Sequence, residues 1–315
     1  MVQPAGSVSE TLPSEVLSSI LIQIQRDFVS REKTSYLDLE LLNSVYNKNI
    51  YNYHWKGLAL GNPVEMRVYT KNKNHLEKIL TMVSSEIDRL DKIFYLQDAS
   101  SKINLLNKTK SLINPDKELL NAIYLSEKFF SISKGSFDIT VQPIWNAYSS
   151  GKKVISDGIG FENIAISKNK ISLLNKNTEI TLNSLAQGIL TDRIHEILLN
   201  SGIKNHLINF GEGKASGIAP ENKKWTLNIN NNYIDITNKG FSVSDAGSTI
   251  LPNNKSHLFN PNTYTSALNI PSKTTVIANS ATLADGLSTT YAVSNNIIRS
   301  NLVKHFSEAQ FTINI

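Results

Sequence analysis

The sequence predicts an α+β fold, on three observations. Apolar residues recur at helical spacing in several separate segments, and short β-rich runs bounded by Asn, Lys and Gly cluster between them. The two kinds of element come in groups, without the regular strand-to-helix alternation of a parallel α/β sheet. At 315 residues, 40% hydrophobic and 19% charged, the chain is expected to fold as one large unit or two intimate ones. No internal repeat and no long linker divides it.

In chain order, Val16, Ile20, Ile24 and Phe28 predict an amphipathic helix between Pro13 and Lys33, after a polar leader. Gly61 and Asn62 precede a strand expected over Val64 to Thr70. Leu76, Leu80, Val83, Ile87, Leu90 and Phe94 then mark the core face of a helix. A helix over Pro115 to Lys134 is signalled by Pro115 suited to its first turn and Gly135 just past its end. Ile164 to Leu182 reads as an antiparallel meander of two or three strands. Ser184 to Gln187 has the S-x-x-Q form of a capping box, opening a helix that Gly202 terminates. Further strands are expected at His206 to Phe210, Trp225 to Ile229, Tyr233 to Thr237 and Gly240 to Val243, with a tight turn at Gly211-Glu212-Gly213. A last strand-to-helix unit runs from Thr274 to Ser294, and Phe311 to Ile315 adds a closing strand.

Composition excludes several function classes. The absence of cysteine removes disulfides, thiolate catalysis and Cys-ligated metals. Lys and Arg number 32 against 27 Asp and Glu, for a net charge of +5, but they are scattered singly, so no nucleic-acid partner is expected. No apolar run reaches the ~18 residues of a membrane span. Met1 to Ser9 lacks a basic segment followed by an apolar one, so no signal peptide is expected in it.

A few groups carry chemistry. Asp285 and Thr289, at i and i+4, share one helix face, and a carboxylate with a hydroxyl one turn away suits a hard cation such as Mg²⁺, which needs few protein oxygens. The alternative is an Asp favoured by the helix macrodipole and a Thr bonded to its own backbone. Gly211-Glu212-Gly213 reads either as a phosphate cradle or as a plain turn. It matches neither the P-loop nor the dinucleotide fingerprint. His257 suits a general base or a phosphate ligand, and Asp138 a ribose or amide contact or a turn cap.

In order, these segments resemble the FAD:protein FMN transferase (ApbE) family, over roughly residues 58 to 295. The specific blocks are Gly135-Ser136-Phe137-Asp138-Ile139-Thr140-Val141-Gln142-Pro143 and Ala281 to Thr290 with its A-D-x-x-S-T. Leu60-Gly61-Asn62, Thr181 to Gly188 followed by Asp192, Asn209 to Gly213 and His257 to Thr263 add support by their order. The resemblance implies an α+β domain over 58–315, with antiparallel or mixed sheets, packed helices and an FAD cleft between them, behind an N-terminal extension over 1–57. It implies Mg²⁺ on Asp285, Thr289 and the main-chain carbonyl of Ser184. It implies FAD contacts at Leu60, Gln97, Phe137, Asp138, Ile139, Thr181, Gln187 and Phe259, with His257 assisting proton removal. The implied reaction is transfer of FMN from FAD to a Thr or Ser hydroxyl of a target protein, with release of AMP. A cell-envelope location is likewise implied only by the resemblance, and a cytoplasmic one stays open.

The chain departs from the pattern at several points. Thr181 stands where Asp is usual, Gln187 where Lys or Glu is usual, and Gly-Glu-Gly replaces Gly-Gly-Asp at 211–213. Ser242 to Asp245 replaces T-S-G, and the D-P-x-T-G block reads Asn260-Pro261-Asn262-Thr263-Tyr264. Two other functions stay open: an FAD pyrophosphatase using water as nucleophile, and a flavin-binding or scaffold protein without catalysis. Asp285 to Thr290 also resembles a flavinylation target, but it lies where the metal motif belongs.

Overall fold

The computed structural model describes residues 36–38, 44–47, 50–71, 76–229, 232–252, 254–266 and 273–314. The helix expected over Pro13 to Lys33 lies outside the described residues. Among them, a sheet of nine strands forms the centre, and every pairing in it is antiparallel. The α+β class follows directly, since antiparallel neighbours need no crossover helix between them.

The sheet begins with β1 (Tyr36–Asp38), β2 (Ser44–Asn47), β3 (Ile50–Ala59) and β4 (Asn62–Thr70). β3 was not expected from the sequence, and it runs unbroken through residues 57 and 58. Leu60 and Gly61 form the two-residue turn between β3 and β4, both at positive φ (49° and 75°). That is the backbone of a type I′ hairpin, which Asn-Gly fills easily and Leu does not. The Leu60 amide is held by Asp91 Oδ1 at 2.9 Å.

α1 (Leu76–Phe94) buries the expected stripe from Leu76 to Phe94. α2 (Lys102–Thr109) and β5 (Ser111–Ile113) follow, then α3 (Lys117–Ser133). Pro115 precedes the N-cap Asp116 of α3 rather than entering its first turn, while Gly135 (φ 79°) follows a left-handed Lys134 as expected. Asp138 caps a 3-10 turn at Ile139–Val141 that leads into α4 (Gln142–Ser150). The meander is β6 (Ile164–Ser167) and β7 (Lys170–Leu173), and its third strand is the distant β5.

α5 (Asn183–Asn200) begins at Asn183 with Leu182 as N-cap and no side-chain cap. The capping box expected at Ser184 and Gln187 is therefore not formed, because both residues already lie in the helix. The upstream Thr181 Oγ1 accepts the Asn183 amide instead, at 3.3 Å. Gly202 (φ 80°) closes the helix as expected, with the Ile203 amide donating to the Leu198 carbonyl at 2.9 Å.

β8 (Asn205–Phe210) turns at Gly211 alone, and Glu212 and Gly213 already belong to β9 (Glu212–Ser216). A hairpin of β10 (Trp225–Ile229) and β11 (Asn232–Ile236) precedes β12 (Lys239–Asp245). Two small hairpins follow, β13 (Ile250–Leu251) with β14 (Lys255–Ser256) and β15 (Phe259–Asn260) with β16 (Thr265–Ser266). β17 (Lys273–Ala278) returns to the sheet, α6 (Ala281–Val293) and α7 (Asn296–His305) follow, and β18 (Gln310–Asn314) closes the edge. The helix carrying Asp285 is thus not the last.

Alternation in β8 sends His206, Ile208 and Phe210 to the side packed by α1, α5 and α6. On the opposite face, Leu207 joins Trp225, Leu227, Ile236 and Ile277 in a second core beneath the β10–β11 hairpin. Covered on both sides, β9 is buried at every residue.

Candidate functional site

A cleft of about 580 Å³ opens where the β3–β4 hairpin tip, the N-terminal end of α5, one face of α6 and the β13–β16 hairpins meet. Leu60, Gln97, Phe137, Asp138, Ile139, Thr181, Ser184, Gln187, His257, Phe259, Asp285 and Thr289 all line it. Residues more than two hundred positions apart in sequence thus share one cavity. They do not all present side chains in the same way. Phe137 packs its ring on Phe129, with centroids 5.3 Å apart, and Ile139 is 2% exposed with its carbonyl accepting the Thr181 amide at 2.8 Å. Asp138 is fixed by Thr140, whose amide and hydroxyl both donate to Oδ1 at 2.8 and 2.7 Å. Burial pushes its carboxyl up to about 6, against the lowering by those bonds.

The close approach of α5 to α6 places the charged end of the cleft. At Gly188 a Cβ would lie 2.6 Å from the Thr282 Cα, so only glycine permits that distance. Asp192, on the same helix, accepts the amides of Ala281 and Thr282, both at 2.9 Å, and the Thr282 hydroxyl at 2.6 Å. With Ser280 Oγ accepting the Leu283 amide at 3.1 Å, the first turn of α6 is fully capped. One turn further, Asp285 is 4% exposed and accepts the Gly188 amide at 3.3 Å. Thr289 lies one turn beyond on the same face, half-buried.

Sequence reasoning placed Glu212 in a turn and missed its burial. It is 9% exposed, lines the cleft, and has one oxygen, Oε2, without a hydrogen-bond partner. Burial pushes both Glu212 and Asp285 well above the usual carboxylate range, and for Glu212 the nearby charge of Asp285 raises it further. No residue pattern could have signalled this, because the turn at Gly211 resets the strand alternation. A phosphate cradle at 211–213 does not fit a buried carboxyl there. A chain of hydroxyls was also missed: Ser242 and Ser244 each lie 2.7 Å from Ser288 Oγ, and Ser244 lies 3.3 Å from Thr289 Oγ1.

Across the cleft, His257 Nδ1 donates to the Thr249 carbonyl at 3.2 Å, which leaves Nε2 as an acceptor. Burial draws its pKa below the usual imidazole value, partly offset by that bond and by Asp245, so the ring is neutral at pH 7. Phe259 packs beside Tyr148, with the rings tilted and their centroids 5.3 Å apart, and gives this wall an aromatic surface.

Among the described residues, no three His, Asp or Glu side chains gather into a metal cage. What the site offers instead is oxygen: buried carboxyls, the Thr289 hydroxyl and the main chain at the start of α5. That donor set suits a hard cation that keeps waters and shares substrate phosphate oxygens.

Comparisons with known proteins bear on the family and the fold. The family model described as ApbE family matches residues 60–311. A curated FAD:protein FMN transferase from Buchnera aphidicola subsp. Schizaphis graminum is 24% identical over 261 residues, 73% of this chain and 76% of its own length. Among solved structures, the flavin transferase ApbE from Vibrio cholerae superposes with a TM-score of 0.73 at 16% identity, covering 84% of this chain and 94% of its own. The flavinyl transferase ApbE of Pseudomonas stutzeri, in its apo form, gives 0.74 at 20% identity, covering 84% and 93%. The ApbE protein from Thermotoga maritima gives 0.73 at 20%, covering 83% and 94%. With the family model spanning most of its length, the chain belongs to the ApbE family and is a transferase enzyme.

Proposed function

We propose that the protein transfers FMN from FAD to a Thr or Ser hydroxyl of a target protein and releases AMP, with Mg²⁺ at the pyrophosphate. The carrying observation is that Asp285 and Thr289, on one face of α6, open into the same cleft as the start of α5 and the positions implied for FAD. The target hydroxyl oxygen forms a bond to the FMN-side phosphorus. The bond from that phosphorus to the bridging oxygen breaks, and AMP leaves with the oxygen. The hydroxyl proton passes to the free Nε2 of His257, which is neutral at physiological pH and able to accept it.

Mg²⁺, when bound, offsets negative charge on the pyrophosphate. Asp285, Thr289 and the Ser184 carbonyl would hold it, and the unpartnered Glu212 oxygen in the same cleft supports a cation at this end. The N-terminus of α5 supplies main-chain N–H groups suited to a phosphate anion. Leu60, Gln97, Phe137, Asp138, Ile139, Thr181, Gln187 and Phe259 form the flavin and adenosine contacts in this reading. The partner is FAD together with a protein bearing the acceptor hydroxyl. An envelope location rests on the family resemblance, and no described helix is long and apolar enough to cross a membrane.

The test is incubation with FAD and an acceptor peptide, with Mg²⁺ or with chelator, following AMP, free FMN and the peptide mass. Mg²⁺-dependent AMP matched by flavinylated peptide is expected. An Asp285→Ala variant should release AMP at least ~100-fold more slowly, since loss of ~3 kcal/mol of charge stabilisation corresponds to two decades in rate. FMN and AMP without an adduct would identify a pyrophosphatase, and no AMP at all would overturn both enzymatic readings.

A further inference from the structure

Glu212 opens β9, anchored by its pairing with Phe210 and by the Thr191 hydroxyl, which donates to its carbonyl at 2.9 Å. Its side chain lines the cleft while 9% exposed. Among the described residues its Oε2 has no hydrogen-bond partner. No side-chain cation among the described residues pairs with it. Lys214, two residues along the strand, donates its Nζ to the Asn279 carbonyl at 2.7 Å. Two buried carboxyls therefore line the same cleft, and one of their oxygens is unsatisfied. Leaving a buried acceptor unpaired is costly, so such groups call for an explanation. A single proton would quiet one of the carboxyls, whereas a divalent cation offsets both and takes the orphan oxygen as a ligand.

We infer that Glu212 is a second carboxylate ligand of the divalent cation, opposite Asp285. The inference rests on the proposed metal role of Asp285 and Thr289 and adds to it. A hydroxyl chain runs from Ser242 through Ser288 and Ser244 to Thr289 Oγ1, which positions the Thr289 oxygen. The consequence is a change in the order of binding. A hard cation held by one carboxylate and a hydroxyl depends on substrate phosphate for tight binding, whereas two carboxylates offset its charge without any phosphate. The protein thus takes up its cation before FAD arrives.

The experiment titrates flavin-free wild type, Glu212→Gln, Glu212→Ala and Asp285→Asn with Mn²⁺ as the sole probe, reading free Mn²⁺ by electron paramagnetic resonance. Melting temperature is measured in parallel with Mn²⁺ and with EDTA. The expected result is one Mn²⁺ bound by wild type, none by Asp285→Asn, and at least tenfold weaker affinity in both Glu212 variants. Glu212→Gln should also gain less melting temperature from Mn²⁺ than wild type does. Glu212 variants whose isotherms superimpose on the wild type overturn the inference, as does a wild type that binds no Mn²⁺ without FAD. The two proposals fail separately: unchanged Mn²⁺ affinity with normal flavinylation refutes only the Glu212 role. Weakened affinity in a protein that releases no AMP refutes only the transfer reaction.

Discussion

His257 shows how little freedom the cleft leaves a single side chain. Its Nδ1 is committed to the Thr249 carbonyl, so any proton it accepts must enter at Nε2. Its pKa lies below the ordinary imidazole value, so the neutral form dominates at pH 7 and is lost only on acidification. A base must be neutral to act, and the transfer rate should therefore fall as pH drops through that lowered pKa, below ~6.5. His257→Gln should cost ~10²- to 10⁴-fold in rate and abolish the acid limb of the pH–rate profile. A variant that slows the reaction but keeps the limb would assign the proton to another group. The sequence singled out this histidine because it precedes Phe259 and Asn260. Its tautomer comes from Thr249, eight residues upstream across the β13–β14 hairpin, and could not have been read there.

At the scale of elements, the site depends on how closely α5 and α6 approach. Gly188 meets backbone on α6, with the Ala281 carbonyl oxygen 2.8 Å from where a Cβ would be, so neither helix can yield by a rotamer change. The Gly188 amide also donates to Asp285, so contact and charge placement are one feature. Gly188→Ala should destabilise the fold by ~1–3 kcal/mol, the usual effect of overpacking, and weaken cation binding by moving Asp285. Urea unfolding and a Mn²⁺ titration check the two effects separately. An undisturbed urea midpoint would mean that the helices separate freely. Periodicity located both helices in the sequence, and the A-D-x-x-S-T spacing put Asp285 and Thr289 on one face. The capping box failed because the chain enters helical geometry at Asn183, with Thr181 satisfying the first amide instead.

The molecule as a whole carries titratable groups on the buried face of its sheet. His206 and His195 meet through a 2.8 Å contact between ring nitrogens, and burial pushes them down to about 3 and about 4. Both are neutral in the native state near pH 5, whereas an unfolded imidazole takes up a proton below ~6.5. The unfolded chain binds more protons there, so stability is lost as pH falls from about 6.5 towards 4, by ~2 kcal/mol at pH 5 for the fully buried His206. His206→Gln should lose less stability than wild type between pH 7.5 and pH 5, measured by urea midpoints. An equal loss would place the acid sensitivity elsewhere.

The sequence by itself determined the fold class, most helices and strands, the family, and the pairing of Asp285 with Thr289. The family comes from the resemblance of its motif blocks, and the rest from local periodicity and short-range spacing, which a chain carries in order. Tertiary structure alone decided that β5 joins the β6–β7 meander and that Leu60 turns a hairpin into the cleft. It also decided that Asp192 caps a helix almost ninety residues away, and that Glu212 is buried in the cleft that Asp285 lines. Each of these is a meeting of distant segments across a sheet or between helices. Burial and charge coupling exist only once those segments are packed, so they leave no trace in the order of residues.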